Sequence, residues 1–227
     1  MKTLSNKQNE REMVMSFMII RRSVGFLGVS LPVVLALGIW AFSGCGWIEP
    51  SISNYYYTIM GNILVGVLCA VALFLFTYRG FDKWDNISSN IAGLFALGVA
   101  FFPMNISKTI DDADIFIKCD QGWRNAVHYT SAGVFLLTLA YISYCRFTKT
   151  HHGKKDEMTV KKKKRNVIYR VCAVFIFVST AMIGVLKIAP GIACAISAFK
   201  PVFVLETIAL WAFGLSWLTK GEFILSD

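Results

Sequence analysis

The chain has 227 residues, of which 56% are hydrophobic and only 16% are charged, and its formal net charge is +9. Soluble globular proteins carry about 25% charged residues and about 45–50% apolar ones. The composition therefore excludes an intrinsically disordered protein and a small disulfide-rich scaffold, and it argues against a soluble enzyme. The excess of apolar residues predicts a protein whose surface faces lipid.

Six stretches are apolar and long enough to be candidate membrane-spanning helices, each of which needs about 20 mostly apolar residues. In chain order they cover residues 23–43, 57–78, 87–102, 125–145, 167–186 and 201–218. The third is the shortest and ends at Pro103. None shows the alternating pattern of about 10 residues that is typical of membrane β-strands. The sequence predicts an all-α fold, a polytopic membrane bundle with six transmembrane helices.

The connections between the six stretches are too short to hold a separate soluble domain. We therefore predict an N-terminal tail at 1–22, one transmembrane domain at 23–219 and a C-terminal tail at 220–227. The apolar segment 13–20 precedes Arg21 and Arg22. It is either an interfacial helix or an early start of the first spanning helix, and the second interpretation is favoured.

The distribution of basic residues predicts the orientation. Of the 23 Lys and Arg residues, 18 fall on the side that holds both termini and 5 on the other side. Short loops rich in Lys and Arg stay in the cytoplasm. Both termini are therefore expected to be cytoplasmic, which agrees with an even number of spans.

Three cysteines fall on the outer side of this predicted topology: Cys45, Cys119 and Cys194. Three cysteines allow one disulfide and one free thiol. Cys45 and Cys119 lie in the two most polar outer loops, so this pair is the predicted disulfide. Free thiols throughout are the alternative.

A few polar residues fall inside the predicted spans, where ionisable groups are costly and indicate function. Glu206 and His128 lie within two turns of the outer ends of their helices, and Asn62 lies at a similar depth. The run Tyr55, Tyr56 and Tyr57 leads into the same region. The pattern predicts a polar pocket that opens to the outer face. In the alternative interpretation, which is favoured, the polar residues only join helices by hydrogen bonds and the tyrosines form an interfacial aromatic belt.

The loop before the fifth predicted helix carries a run of basic residues: Lys161, Lys162, Lys163, Lys164 and Arg165. Each such residue near an anionic leaflet contributes about 1 kcal/mol. The run predicts contact with anionic lipid, or it only sets the topology, which is the favoured interpretation. A nucleic-acid partner is not expected, because the loop is short and lies against the membrane.

Sequence motifs for cofactors and metals are missing. The chain has no glycine-rich phosphate loop, no HExxH and no GxSxG. His128 is the only histidine in a predicted span, so a haem held between helices is not expected. We predict no cofactor and no metal site.

Several stretches resemble a known group of proteins. They are 51–58, 78–82, 90–98, 128–132, 210–217 and 220–222. Their order resembles a family of uncharacterised bacterial six-helix inner-membrane proteins, classified as a domain of unknown function. More distantly, Ile52-Ser53 before the second helix and His128 at the start of the fourth are similar to the DRAM/Sfk-like superfamily, which includes autophagy modulators and a GPI-lipid remodelling factor. The resemblance implies a lipid-linked or membrane-homeostasis role and a bacterial inner-membrane location, and it brings no catalytic residues with it.

Three functions remain open from the sequence. The first is binding of a lipid or a membrane partner in the outer-facing pocket. The second is an intramembrane lipid-modifying enzyme, with His128 as the general base and Glu206 orienting it. The third is a small transporter in which Glu206 carries a proton or a cation. The sequence offers no obvious nucleophile and no internal repeat, so binding is the favoured prediction.

Overall fold

The computed structural model describes residues 2–43, 48–80, 82–104, 122–149 and 159–225. Within these ranges the secondary structure is helical and no residue lies in a β-strand, as the sequence predicts. The predicted disulfide partners Cys45 and Cys119 lie outside the described residues.

The described ranges contain seven α-helices. They are α1 (Lys2–Ser43), α2 (Gly61–Thr77), α3 (Lys83–Phe101), α4 (Gly122–Tyr141), α5 (Val160–Ile188), α6 (Pro190–Ala195) and α7 (Pro201–Lys220). Two short 3₁₀ helices, Ile52–Tyr57 and Ser197–Phe199, precede α2 and α7. A π-helical turn, Ile142–Arg146, continues α4.

Four helical segments of the described residues are long and apolar enough to cross a membrane. They are Met15–Phe42, Gly122–Arg146, Val160–Ile188 and Ser197–Lys220. α2 is apolar but has only 17 residues, and α3 begins with polar turns that contain Asp85, Ser88 and Ser89. The prediction of a multi-pass membrane protein therefore agrees with the structure at this coarser level, whereas the count of six spans is not confirmed.

Helix starts differ from the predicted ones because capping residues lie outside the apolar runs. α1 begins at Lys2, so the early start is confirmed. Asp82 caps α3 by accepting the N–H groups of Trp84 and Asp85 at 3.0 and 3.1 Å. Thr159 caps α5 by accepting the Lys162 N–H at 3.2 Å. The basic run predicted as a loop is thus the beginning of a helix.

The long helices pack in a closed ring in which α1 contacts α2, α2 contacts α3, and so on through α4, α5 and α7 back to α1. Each helix therefore packs mainly on its neighbours in the chain, and the first and last helices close the bundle. Trp217, in the last turn of α7, is fully buried and makes edge-to-face contacts with Tyr78 and Phe147 at centroid distances of 5.1 and 5.3 Å.

Glycines allow α1 and α7 to approach closely. A Cβ atom on Gly214 would lie 2.6 Å from the Gly25 carbonyl oxygen, and one on Gly25 would lie 2.9 Å from the Gly214 carbonyl oxygen. Small residues at such positions are typical of membrane helix pairs. The two backbones are therefore in direct contact.

One end of the bundle gathers basic side chains around the middle of α1 and the end of α7; we call it the basic end. Arg22 of α1 donates from Nε to the Gly221 carbonyl at 2.8 Å. The buried Arg146 guanidinium pairs with the carboxylates of Asp82 and Asp85. Lys149 also donates to Asp82, at 2.8 Å. Lys149 and Arg146 together hold the pKa of the Asp82 carboxyl well below its usual range.

Candidate functional site

The 3₁₀ helix Ile52–Tyr57 carries Ser53 at the end of the bundle opposite the basic end. Ser51 caps it, because its hydroxyl oxygen accepts a backbone N–H of the first turn at 3.2 Å. Thr58 follows the helix and donates from its N–H and its hydroxyl to the Tyr55 carbonyl, at 3.1 and 2.8 Å. Serine is a favoured N-cap because its side chain supplies the acceptor that the helix lacks there. These local bonds fix the position of Ser53 along the segment.

Glu206 of α7 attaches this 3₁₀ helix to the bundle. Its Oε2 atom accepts the backbone N–H of Ile52 at 2.6 Å. Three residues earlier on α7, Phe203 donates its N–H to the Pro50 carbonyl at 3.1 Å. Hydrogen bonds to a carboxylate are stronger than those between neutral groups. Glu206 therefore positions the segment that carries Ser53.

His128 of α4 is buried, with 3% of its surface exposed. Its Nδ1 atom lies 2.8 Å from the carbonyl oxygen of Phe102. That carbonyl follows the last residue of α3, and the next residue is Pro103, which has no N–H. The last carbonyls of a helix lack partners within it. Because a carbonyl only accepts hydrogen bonds, Nδ1 carries the proton.

The other ring nitrogen of His128 faces Ser53. The Nε2 atom lies 3.1 Å from the Ser53 Oγ atom. In the neutral ring with a proton on Nδ1, Nε2 is an acceptor, so the Ser53 hydroxyl donates to it. A chain of two hydrogen bonds thus runs from Ser53 through the imidazole to the Phe102 carbonyl. It joins the 3₁₀ helix, α4 and the end of α3.

Two cavities meet at this chain of hydrogen bonds. The inner cavity, of about 70 Å³, has mainly apolar walls from α2, α3 and α7, including Leu64 and Leu68. The outer cleft, of about 420 Å³, lies between α4, α5 and α7. Ser53, His128 and Glu206 line both of them. The polar groups therefore lie where an apolar chamber joins a larger cleft.

The outer cleft reaches the surface between α4 and α5. Gly133 of α4 and Gly184 of α5 line it, and a Cβ atom added to either would meet no atom within 4 Å. At its rim, Lys187 donates from Nζ to the Tyr129 hydroxyl at 2.6 Å and lies 4.1 Å from the centroid of that ring. Both side chains are exposed. The cleft thus has an open side and a positive charge at its rim.

The predicted pocket residues separate into two groups. Glu206, His128 and Tyr56 line the inner cavity. Tyr55 is fully buried in the core, whereas Tyr57 is 42% exposed and donates to the Met104 carbonyl at 2.8 Å. A 3₁₀ helix has three residues per turn, so three consecutive side chains point in three directions.

In contrast to the prediction from the sequence, the structure does not bring Tyr55, Tyr57 and Asn62 to these two cavities. Asn62 is the second residue of α2, and its side chain is exposed. It lines neither the inner cavity nor the outer cleft.

The predicted basic lipid-facing loop also needs correction. Lys161, Lys163 and Lys164 are exposed in the first turns of α5, and Lys162 is half-buried. Arg165 is buried and turned toward the C-terminal segment: its Nη1 atom lies 3.7 Å from a carboxylate oxygen of Glu222. Three of the five residues are therefore exposed, and Lys162 donates from Nζ to the Lys149 carbonyl at 3.1 Å.

Sequence reasoning missed two residues of the site. Ser53 is 75 residues away from His128 in the chain, so no local motif joins them. Lys187 is one of the five basic residues that the sequence places on the outer side, and no motif assigns it to a site. The only sequence signal for this pair is Ser53 just before the second predicted span and His128 at the start of the fourth. Only the resemblance to a known superfamily connects these two positions.

No group of three or more His, Cys, Asp or Glu side chains that could hold a metal ion occurs in the part of the chain that the structure describes. No protein-family model matches the chain, and no curated protein or solved structure matches it. Function is therefore argued from the geometry of the site.

Proposed function

We propose that this protein binds a membrane lipid in the outer cleft, with an acyl chain against the apolar walls and the headgroup at the polar rim. The observation that carries the proposal is a cleft of about 420 Å³ that opens between two helices of a membrane bundle. Binding pockets for small molecules are mostly apolar, have a few converging polar groups and measure about 300–1,000 Å³. Ser53, His128 and Glu206 supply those groups.

The open side of the cleft favours an occupant that comes from the bilayer. Helix α5 presents apolar side chains outward, among them Val174, Phe177 and Val185, each more than half exposed. A lipid beside this surface reaches the cleft without crossing water. Lys187 at the rim favours an anionic headgroup, because the exposed ammonium attracts it.

Photo-cross-linking tests this proposal. The purified protein in nanodiscs is irradiated with an anionic phospholipid that carries a diazirine in its acyl chain, and the adducts are mapped by mass spectrometry. Gly133→Leu and Gly184→Leu fill the cleft from open positions, so we expect cross-linking on α4 and α5 to fall about tenfold, equivalent to about 1.4 kcal/mol of binding free energy. Gly66→Leu is the matched control, because Gly66 is also open but lies on α2 away from the cleft.

Cross-linking that is unchanged in Gly184→Leu would show that the lipid lies elsewhere. An equal fall in Gly66→Leu would attribute the effect to the added side chain itself and would also contradict the proposal.

The proposal includes an orientation, with six spans, both termini in the cytoplasm and, following the resemblance, a bacterial inner membrane. It is supported by the basic asymmetry of the sequence and by the contact between Arg22 and Gly221, which places the first and last spans side by side at the basic end. The cleft then opens in the outer leaflet. Exposed Lys161, Lys163 and Lys164 of α5 then lie at the cytoplasmic surface, where anionic lipid is the expected partner.

Two native cysteines test the orientation. Cys194 of α6 and Cys145 at the end of α4 are both exposed and lie at opposite ends of the bundle. In variants that keep only one of the six cysteines of the chain, either Cys194 or Cys145, a membrane-impermeant maleimide should label Cys194 on intact cells and Cys145 only after permeabilisation. The reverse result would place the cleft in the cytoplasmic leaflet.

A further inference from the structure

We propose that Ser53 is a nucleophile and that the protein hydrolyses the acyl ester of the lipid in its cleft. This inference rests on the proposed lipid binding and adds a reaction to it. It starts from a hydroxyl, an imidazole and a carbonyl joined in series, at 3.1 Å between Ser53 Oγ and His128 Nε2 and at 2.8 Å between His128 Nδ1 and the Phe102 oxygen.

Each member of the series has a defined role. A serine hydroxyl is a weak nucleophile until an adjacent base accepts its proton. His128 presents an unprotonated Nε2 to Ser53, because its Nδ1 proton is held by the Phe102 carbonyl. In serine hydrolases a third group fixes the tautomer and the orientation of the base. Here the Phe102 carbonyl does so, and it is a positioning group rather than a catalytic one.

Glu206 does not orient His128, in contrast to the sequence-based alternative in which it did. Its carboxylate is bonded to the Ile52 N–H at 2.6 Å. It is therefore a positioning residue for Ser53, which directly follows Ile52 in the chain.

The reaction balances without an oxidant or a metal. Ser53 Oγ attacks the ester carbonyl carbon as its proton moves to His128 Nε2. The bond between the carbonyl carbon and the alcohol oxygen breaks, and His128 gives that proton to the leaving alcohol. Water then attacks the acyl-serine, loses a proton to His128 and releases the fatty acid, and the proton returns to Ser53. Ester and water thus give a carboxylic acid and an alcohol.

The position of the pair matches this substrate class. Ser53 and His128 line both the apolar inner cavity and the open outer cleft. An ester at their junction has an apolar chamber on one side and, on the other, a cleft that reaches the surface, through which lipid and water enter. Lys187 at the rim is suited to an anionic headgroup attached to the alcohol.

An alkyl fluorophosphonate tests the nucleophile directly. It reacts with an activated serine to form a bond from Oγ to phosphorus and releases fluoride. On the detergent-purified full chain we expect the label on Ser53, mapped by peptide mass spectrometry. The same preparation should release the fluorophore from a long-chain fluorogenic acyl ester.

Variants separate catalysis from folding. Ser53→Ala should abolish labelling and hydrolysis, and His128→Ala and His128→Gln should slow both at least about a hundredfold, as expected for loss of a general base. Ser131→Ala is the matched control and should behave as the wild type, because Ser131 is buried on the same helix as His128 but lines neither cavity. All variants are compared at equal monodispersity on gel filtration.

The outcomes distinguish this inference from the proposed function. Wild-type protein that cross-links lipid in the cleft but is neither labelled at Ser53 nor active on the ester would overturn the inference alone. Hydrolysis that persists in Ser53→Ala would do the same. Lipid binding is tested separately by cross-linking. Cross-linking does not require a nucleophile, so it should persist in Ser53→Ala.

Discussion

The contact between α1 and α7 gives the sharpest test of the packing, through the substitution Gly214→Ala. The new Cβ atom would lie 2.6 Å from the Gly25 carbonyl oxygen and 3.0 Å from the Val29 backbone nitrogen. Carbon and oxygen atoms in contact lie about 3.3–3.6 Å apart, so the two helices must separate locally by roughly 0.7–1.0 Å. A third atom, Cγ2 of the Val29 side chain, would lie 2.5 Å away. Rotation of Val29 could move that atom, but the other two belong to the backbone, so no side-chain rotation relieves the whole overlap.

The expected magnitude follows from two opposing effects. Overpacking of this kind costs about 1–3 kcal/mol. Alanine is favoured over glycine in a helix interior by about 1 kcal/mol. Gly66→Ala on α2 has only the second effect, because no atom lies within 4 Å of its added Cβ. The free energies of unfolding of the two alanine variants should therefore differ by about 1–3 kcal/mol, with Gly214→Ala the less stable.

Unfolding by SDS in mixed micelles, followed by tryptophan fluorescence, measures this difference. Gly25→Ala adds a second check, because its Cβ meets the same pair of backbones, 2.9 Å from the Gly214 oxygen. Once one alanine has separated the helices, the second should cost less, so the double variant should lose less stability than the sum of the single ones. Equal midpoints for Gly214→Ala and Gly66→Ala would refute the close contact.

Three further predictions concern ionisable groups. Because Lys149 and Arg146 lower the pKa of Asp82 in the folded state, its charge stabilises the fold above the ordinary pKa of about 4, and this contribution is lost as the pH falls from there through the lowered folded-state pKa. Asp82→Asn keeps a good N-cap, so it should reduce Tm at pH 7, and its difference from the wild type should narrow as the pH falls below about 4. A difference that stays constant over this range would contradict the prediction. Arg146→Met removes the cation that pairs with the buried carboxylate of Asp85. It should lower the free energy of unfolding in SDS by about 3–5 kcal/mol, and a change below about 1 kcal/mol would contradict this prediction. Glu206→Gln keeps an acceptor for the backbone N–H, so it should lower the free energy of unfolding by about 1 kcal/mol and retain lipid cross-linking. Glu206→Ala removes the acceptor and should lower the free energy of unfolding by about 1–3 kcal/mol. Equal losses of stability in the two variants would mean that the charge of Glu206, rather than its hydrogen bond, stabilises the fold.

The sequence predicted the fold class well because lipid exposure demands long apolar runs. It predicted helix ends poorly, because these depend on polar caps that lie outside the runs. Asp82 extends α3 by four residues relative to the predicted start, and Thr159 extends α5 by seven. The short length of α2 and the polar start of α3 are the physical reasons that six apolar stretches correspond to four long apolar helices.

The site was only partly accessible from the sequence. The sequence places Glu206 and His128 at a similar depth in their predicted helices, and in the structure both residues line the same two cavities. The sequence predicts that all three tyrosines of the run lie at the pocket. A 3₁₀ helix turns each residue by a third of a revolution, so Tyr56 alone of the three lines the inner cavity. Ser53 depends on a contact between distant segments, which periodicity does not report.

The unequal helix lengths have a consequence for the surrounding bilayer. α2 has 17 residues and therefore rises about 26 Å, less than the roughly 30 Å of a typical hydrocarbon core. The apolar segment Met15–Phe42 has 28 residues and rises about 42 Å. A long helix adapts to a thin membrane by tilting, but a short one forces the adjacent lipid to thin, at a fraction of a kcal/mol per Å of mismatch. The proposal that α2 is one of six spans therefore predicts that lipids beside α2 are shorter than those in the bulk.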